Sequence, residues 1–145
     1  MYHCIIGRMV EMLRTFVEER TPLNRKLGLR LVATGEAEAT CVLPYAEALV
    51  GDPETGAVHG GVISTLVDVA CGCAALMRMK RLRPIVTLEL RIDHLRPSRP
   101  GRELSARAEC YALTSSVAFV RALVHDGDAA DAVASAQGIF NLVEV

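Results

Sequence analysis

Gly60 to Met77 reads GGVISTLVDVACGCAALM, eighteen residues that carry a single charged side chain, Asp68, and follow directly on His59. The run is too long for a strand and has the length of a helix that is apolar on nearly every side, so it must be covered all round. A lone carboxylate in such a helix is costly to bury as an ion, and is retained where hydrogen bonds satisfy it or where it performs chemistry. Gly60 and Gly61 leave the first amide N–H groups of the helix open to an oxygen bearing negative charge. A carboxylate and an amide-lined helix start on one element point to acyl transfer.

The same run is long enough to cross a bilayer, and Arg78, Lys80 and Arg81 follow it. Gly60, Gly61, Ser64, Thr65, Asp68 and Gly72 dilute its hydrophobicity, and a central acid costs about 2.5–3.5 kcal/mol on insertion scales. A helix buried inside a soluble fold is expected, with no membrane partner.

On the N-terminal side, Ile5, Ile6, Met9, Val10, Leu13, Phe16 and Val17 recur at helical spacing and stop before Thr21-Pro22. This predicts an amphipathic helix in residues 1–23, ahead of a main domain over 24–145. Alternation between Leu27 and Tyr45 predicts two strands or a bent one, and Asp52-Pro53-Glu54-Thr55-Gly56 a loop. Beyond the central helix, Val86, Leu88, Leu90 and Ile92 alternate with Thr87, Glu89, Arg91 and Asp93, which places Thr87 on the polar side of a strand. Two further alternating stretches, Leu104–Cys110 and Val117–His125, precede the turn signal Asp126-Gly127-Asp128 and a last strand near Val133–Val143. The expected class is α+β, a helix against one face of an antiparallel sheet. One small sheet cannot wrap an all-apolar helix, so a second subunit is expected on its far side.

At 145 residues and 51% hydrophobic content, one core is expected. The net charge of −1 gives no general attraction to nucleic acid. The basic middle of the chain, Arg96 and Arg99 included, suits the phosphates of a small molecule. Five cysteines form no CxxC pair, no metal-ligand spacing occurs, and the charged residues Glu11, Arg14, Glu18, Glu19 and Arg20 are unlike a signal peptide. A cytoplasmic protein with free buried thiols and no metal or cofactor is expected.

GDPETGAVHGGVISTLVDVACGCAAL followed by VTLELRIDHLRPSRPG resembles the hotdog-fold, PaaI-type acyl-CoA thioesterases over about residues 24–143. The shared pattern is a G-x-x-H-G-G start, an acid nine residues after the histidine, and a T-x-x-x-R-x-x-x-L-R-P strand. The resemblance implies a long helix wrapped by a curved antiparallel sheet, a homodimer or dimer of dimers, and hydrolysis of acyl-CoA without a cofactor. It also implies roles: Asp68 as general base or nucleophile, Gly60 as the amide donor to the thioester carbonyl, Thr87 as a support for the acid or water, and His59 as the anchor of the helix start. Relatives often carry an Asn before HGG to bind the carbonyl oxygen. This chain has Asp52, which as an ion cannot donate that bond. An acyl-CoA-binding hotdog protein with little turnover is the alternative that Asp52 favours.

Gly60 and Asp68, eight residues apart on one helix, lie about 12 Å from each other, whereas an acid and an oxyanion donor must both stand about 3 Å from the reacting group. Two helices paired antiparallel about a twofold axis would bring Asp68 of one subunit beside Gly60 of the other and make two equivalent sites.

Overall fold

A computed structural model describes residues 2–144, so the outermost residues of the two expected segments, Met1 and Val145, lie outside it. The N-terminal spacing folds as helix α1 (Tyr2–Thr15), continued by a π-helical turn over Phe16–Arg20. Only part of the apolar stripe points inward. Met9, Leu13 and Val17, four residues apart, are buried, whereas Ile5, Met12 and Phe16 remain exposed. The chain breaks at Thr21, whose hydroxyl and amide both donate to the Phe16 carbonyl, and Pro22 opens helix α2 (Pro22–Leu27) at the position that tolerates a missing N–H.

The alternating stretch before the central helix resolves into β1 (Arg30–Thr34) and β2 (Glu38–Leu43). A 3₁₀ turn, Glu47–Leu49, then leads into two short strands that alternation was too brief to reveal, β3 (Val50–Asp52) and β4 (Ala57–Val58). Helix α3 spans Gly60–Met79, and the remaining strands are β5 (Ile85–His94), β6 (Leu104–Leu113), β7 (Val117–His125) and β8 (Ala134–Leu142). Six strands form one antiparallel sheet in the order β1-β2-β6-β7-β8-β5, with β3–β4 as a separate hairpin.

α3 is long and apolar enough to cross a membrane, but here it is the core helix, packed against β6, β2 and β7. Small residues let helix and strands approach closely. Ala70, Cys71, Ala74 and Ala75 on α3 and Ala106, Ala108, Ala118 and Ala134 on the strands are all fully buried. This is the hotdog arrangement, a long helix held in an antiparallel sheet, in the α+β class.

Strand β5 corrects the simple alternation. Its register against β8 slips between Thr87, opposite Phe140, and Glu89, opposite Ile139, so Leu88 is an extra residue in a bulge. The slip exchanges the faces of the strand. Ile85 and Thr87 look toward the helix before the bulge, and Leu90 and Ile92 pack on the core after it, while Val86 and Leu88 are left 51% and 59% exposed. β5 is also an edge of the sheet.

Candidate active site

The start of α3 is fixed from below and behind. The β3–β4 hairpin brings Gly51 under His59 so closely that a Cβ on Gly51 would stand 2.7 Å from the His59 Cα. The His59 amide donates to the Leu49 carbonyl at 2.8 Å, and Val58 donates to the buried Ser98 hydroxyl at 3.0 Å. His59 then caps the helix. Its Nδ1 accepts from the Gly61 N–H at 2.9 Å, and its carbonyl accepts from Val62 and Ile63. With Nδ1 accepting, the proton of the neutral imidazole sits on Nε2.

These bonds use the N–H groups of Gly61, Val62 and Ile63. The Gly60 N–H meets no acceptor among the described residues. An unpaired amide at the positive end of a twenty-residue helix is a ready donor to an oxyanion.

Asp68 lies two turns further along α3, half-buried, and its Oδ1 accepts from the Thr87 hydroxyl at 2.7 Å. The β5 bulge makes this contact possible by turning Thr87 toward the helix. The neighbouring thiols offer no rival nucleophile. Burial first, and the charge of Asp68 second, push Cys71 up to about 12, and Cys73 is raised by its hydrogen bond with Cys41 and by burial.

Asp52 sits in the loop before the motif with its carboxylate already engaged. Oδ2 accepts from the Thr55 hydroxyl at 2.8 Å and Oδ1 from the Glu54 N–H at 3.1 Å, while its carbonyl accepts from Gly56. These bonds hold its pKa below the ordinary carboxylate value, the Thr55 bond most of all. It is an ionised turn acid and an acceptor only.

The two arginines expected at CoA phosphates are committed elsewhere. All five N–H groups of Arg96 go to protein oxygens: Asp126 twice, the side chain and carbonyl of Asp131, and the Pro97 carbonyl. No donor of Arg96 is left for a phosphate. Arg99 donates its backbone N–H and one guanidinium nitrogen to Asp126, and another nitrogen to Asp131, with its side chain 48% exposed. Asp126, buried in the clamp, is held well below the ordinary carboxylate range by Arg96, and Asp131 is lowered by Arg96 and then Arg99. This clamp fixes the segment that presents Ser98 to Val58.

Two residues that periodicity gave no reason to notice stand at the site. His94, at the end of β5, lines a cavity of about 460 Å³ together with Asp52, Gly60 and Ser98. Its Cε1 and Nε2 lie 3.4 and 3.6 Å from where a Gly60 Cβ would stand. Ser98 is the buried hydroxyl between Pro97 and Pro100, in a stretch that reads as a plain loop.

Residues 55–133 match the thioesterase superfamily model. The medium/long-chain acyl-CoA thioesterase YigI of Salmonella typhimurium is 32% identical over 120 residues, covering 74% of this chain and 77% of that protein. A Pseudomonas aeruginosa relative named as a putative esterase is 38% identical over 87 residues, which cover 60% of this chain and 63% of that protein, so this chain spans less than two thirds of its length. Among solved structures, a mutant of the phenylacetic acid degradation protein PaaI from Thermus thermophilus is 28% identical, covers 85% of this chain and 100% of that one, and superposes with a TM-score of 0.74. Helix, capped start and motif agree with these likenesses: the chain belongs to the thioesterase superfamily.

Proposed function

We propose that the chain is an acyl-CoA thioesterase, hydrolysing the thioester of a small or medium acyl- or aryl-CoA to the free acid and CoA. The observation that carries this reading is the unpaired Gly60 N–H on the same helix as Asp68, whose carboxylate Thr87 holds. The thioester carbonyl accepts from Gly60. Asp68 takes a proton from a water molecule that attacks the carbonyl carbon, or attacks that carbon itself to give an Asp68 anhydride that water then hydrolyses to free acid and carboxylate, and the tetrahedral oxyanion is stabilised by the Gly60 amide and the helix end. Collapse of the intermediate expels the CoA thiolate, a good leaving group that needs no strong acid. The name of the Salmonella relative supports the substrate class.

The site is complete only in a dimer, because Gly60 and Asp68 of one chain lie about 12 Å apart. The unpaired edge of β5, with Val86 and Leu88 exposed beside it, is the surface that supports pairing with a second copy. Four buried free cysteines suit a reducing cytoplasm. Asp52, with no donor to offer, is the observation that favours a binding protein with little turnover. Thiol release from a panel of acyl-CoAs separates the two readings: turnover that Asp68→Ala lowers by about 10²–10⁴-fold, with an unchanged melting temperature, is expected. Tight acyl-CoA binding without thiol release would overturn the enzyme reading.

A further inference from the structure

The polar groups that line the cavity at the start of α3 are of two kinds. Asp52 and Thr55 bond to each other, Ser98 holds the Val58 N–H, and Arg96 is filled by Asp126, Asp131 and the Pro97 carbonyl. The Gly60 N–H and the His94 ring, by contrast, make no hydrogen bond among the described residues. His94 is nevertheless well placed by its backbone. It ends β5 opposite Ala134 of β8, Leu95 beside it donates to the Val133 carbonyl at 2.8 Å, and Arg96, next again, is locked in the ion clamp. An exposed, unbonded ring is thus carried on a rigid stem.

Its distance from the helix start suits a shared ligand. The His94 Nε2 lies 3.6 Å from where a Cβ on Gly60 would stand. Within one residue the Cβ and the amide nitrogen are about 2.5 Å apart, so Nε2 is at most about 6 Å from the Gly60 nitrogen. One oxygen about 3 Å from each can therefore accept from both. A carbonyl oxygen has two lone pairs, and the charge that develops on it during attack is stabilised by every donor already in place. The family resemblance implies a second donor at position 52, where the ionised Asp52, both oxygens turned into its own loop, offers none. His94 can offer one, because Nε2–H donates both in the imidazolium and in the neutral tautomer that carries its proton there.

We propose that His94 is a further catalytic residue, donating from Nε2 to the thioester oxygen beside the Gly60 N–H of the same subunit and supplying the second oxyanion donor that Asp52 cannot. The proposal rests on the thioesterase reading. The proton stays on the imidazole throughout: the hydrogen bond strengthens as the oxyanion forms and weakens when the carbonyl is restored and the thiolate leaves.

The test is thiol release from acyl-CoAs by the full chain carrying His94→Phe, which keeps a ring at this exposed position and loses the donor. kcat should fall about 10²-fold or more at nearly constant KM and with a native melting temperature. His94→Gln, whose amide nitrogen reaches about as far as Nε2, should regain about tenfold of that loss. A second measurement needs no turnover. In a ketone analogue of acyl-CoA, with a methylene between sulfur and carbonyl, the infrared stretch of the bound carbonyl reports the hydrogen bonds to its oxygen. That stretch should lie at higher frequency in His94→Phe than in wild type, as it should in Gly60→Pro. A near-native kcat in His94→Phe, a His94→Gln variant as slow as His94→Phe, or a carbonyl stretch that His94→Phe leaves unmoved overturns the donor assignment while the thioesterase reading stands. A wild-type chain that releases thiol from no acyl-CoA overturns that reading, and this role with it.

Discussion

Strands β8 and β5 pair with each other across one sheet, yet they follow their sequences differently. Along Ala134–Leu142 every second residue is buried, and β6 and β7 show the same regular alternation through Leu104–Cys110 and Ala118–Val124. β5 begins with one set of residues facing the helix and, after Leu88, continues with the other. The difference follows from neighbours. β8 is held in register on both sides, by β7 and β5, whereas β5 has a strand on one side only and can absorb an extra residue. The regular strands make a core for α3. The irregular edge delivers Thr87 to Asp68, so the departure from pattern coincides with the proposed site.

The irregular side should therefore hold the substitutions that remove activity without unfolding. Gly60→Pro is the strongest of these at the helix start. Gly60 is the first helical residue, where proline fits, and His59 before it has the extended backbone, φ −59° and ψ 132°, that a following proline requires. The change deletes little but the free N–H, and kcat should fall about 10²–10³-fold with a native melting temperature. Mixed dimers of Gly60→Pro and Asp68→Ala chains, each inactive alone, should regain one working site of two. Verified heterodimers with no activity would show that the two halves do not meet across the twofold axis.

Thr87→Val tests the bulge itself. It keeps the shape of the side chain and removes the 2.7 Å hydrogen bond to Asp68. A loss of about tenfold in kcat, recovered by Thr87→Ser, is expected from one hydrogen bond to a charged group. An unchanged kcat would make Thr87 an ordinary edge residue, and the bulge a feature of the sheet edge alone.

How much of this was legible depends on whether a local rule governs each part. The lone acid and the paired glycines marked both halves of the proposed site, because burying a charge and opening a helix start are costs visible in the residues themselves. Thr87 was legible only through the resemblance to known thioesterases. Alternation puts it with Glu89 and Arg91, and the bulge that turns it inward is set by pairing with β8, fifty residues away in the chain. The ion clamp was hidden for a similar reason: Asp126 opens what reads as a plain turn, and its partners Arg96 and Arg99 sit about thirty positions earlier, among charges that read as free to meet a phosphate.

That clamp gives a smaller kinetic prediction and a thermal one. Ser98→Ala takes the acceptor from the buried Val58 N–H, one residue before His59, and should lower kcat severalfold at constant KM, with Ser98→Thr restoring it. Asp126→Ala leaves two guanidinium groups without their shared buried partner and should lower the melting temperature by about 5–10 °C. Because the folded pKa of Asp126 is depressed, its contribution is intact above the ordinary carboxylate value near 3.8 and is lost as pH falls below it. Wild type should therefore lose, on acidification, the margin that separates it from Asp126→Ala at neutral pH. A constant gap between the two melting curves from pH 7 to about pH 2 would assign the stabilisation to something other than the ionised carboxylate.

Asp52 is expected to matter least, although the family resemblance implies an amide donor there. If the side chain reached the thioester oxygen, Asp52→Asn would exchange an acceptor for a donor and raise turnover about threefold to tenfold. The observed geometry argues otherwise. Both carboxylate oxygens face back into their own loop, toward Glu54 and Thr55, and the Gly56 amide closes the turn on the Asp52 carbonyl. Asn can keep one of the two side-chain bonds and the carbonyl bond, so the loop should hold its shape and kcat should stay within about twofold of wild type. Asp52→Ala loses both side-chain bonds and should show a lower melting temperature and looser placement of the hairpin beneath His59. A clear rise in kcat for Asp52→Asn, absent in Asp52→Ala, would mean that the loop turns its side chain toward substrate during catalysis, and that the Gly60 amide works with a second donor whose place the native carboxylate holds.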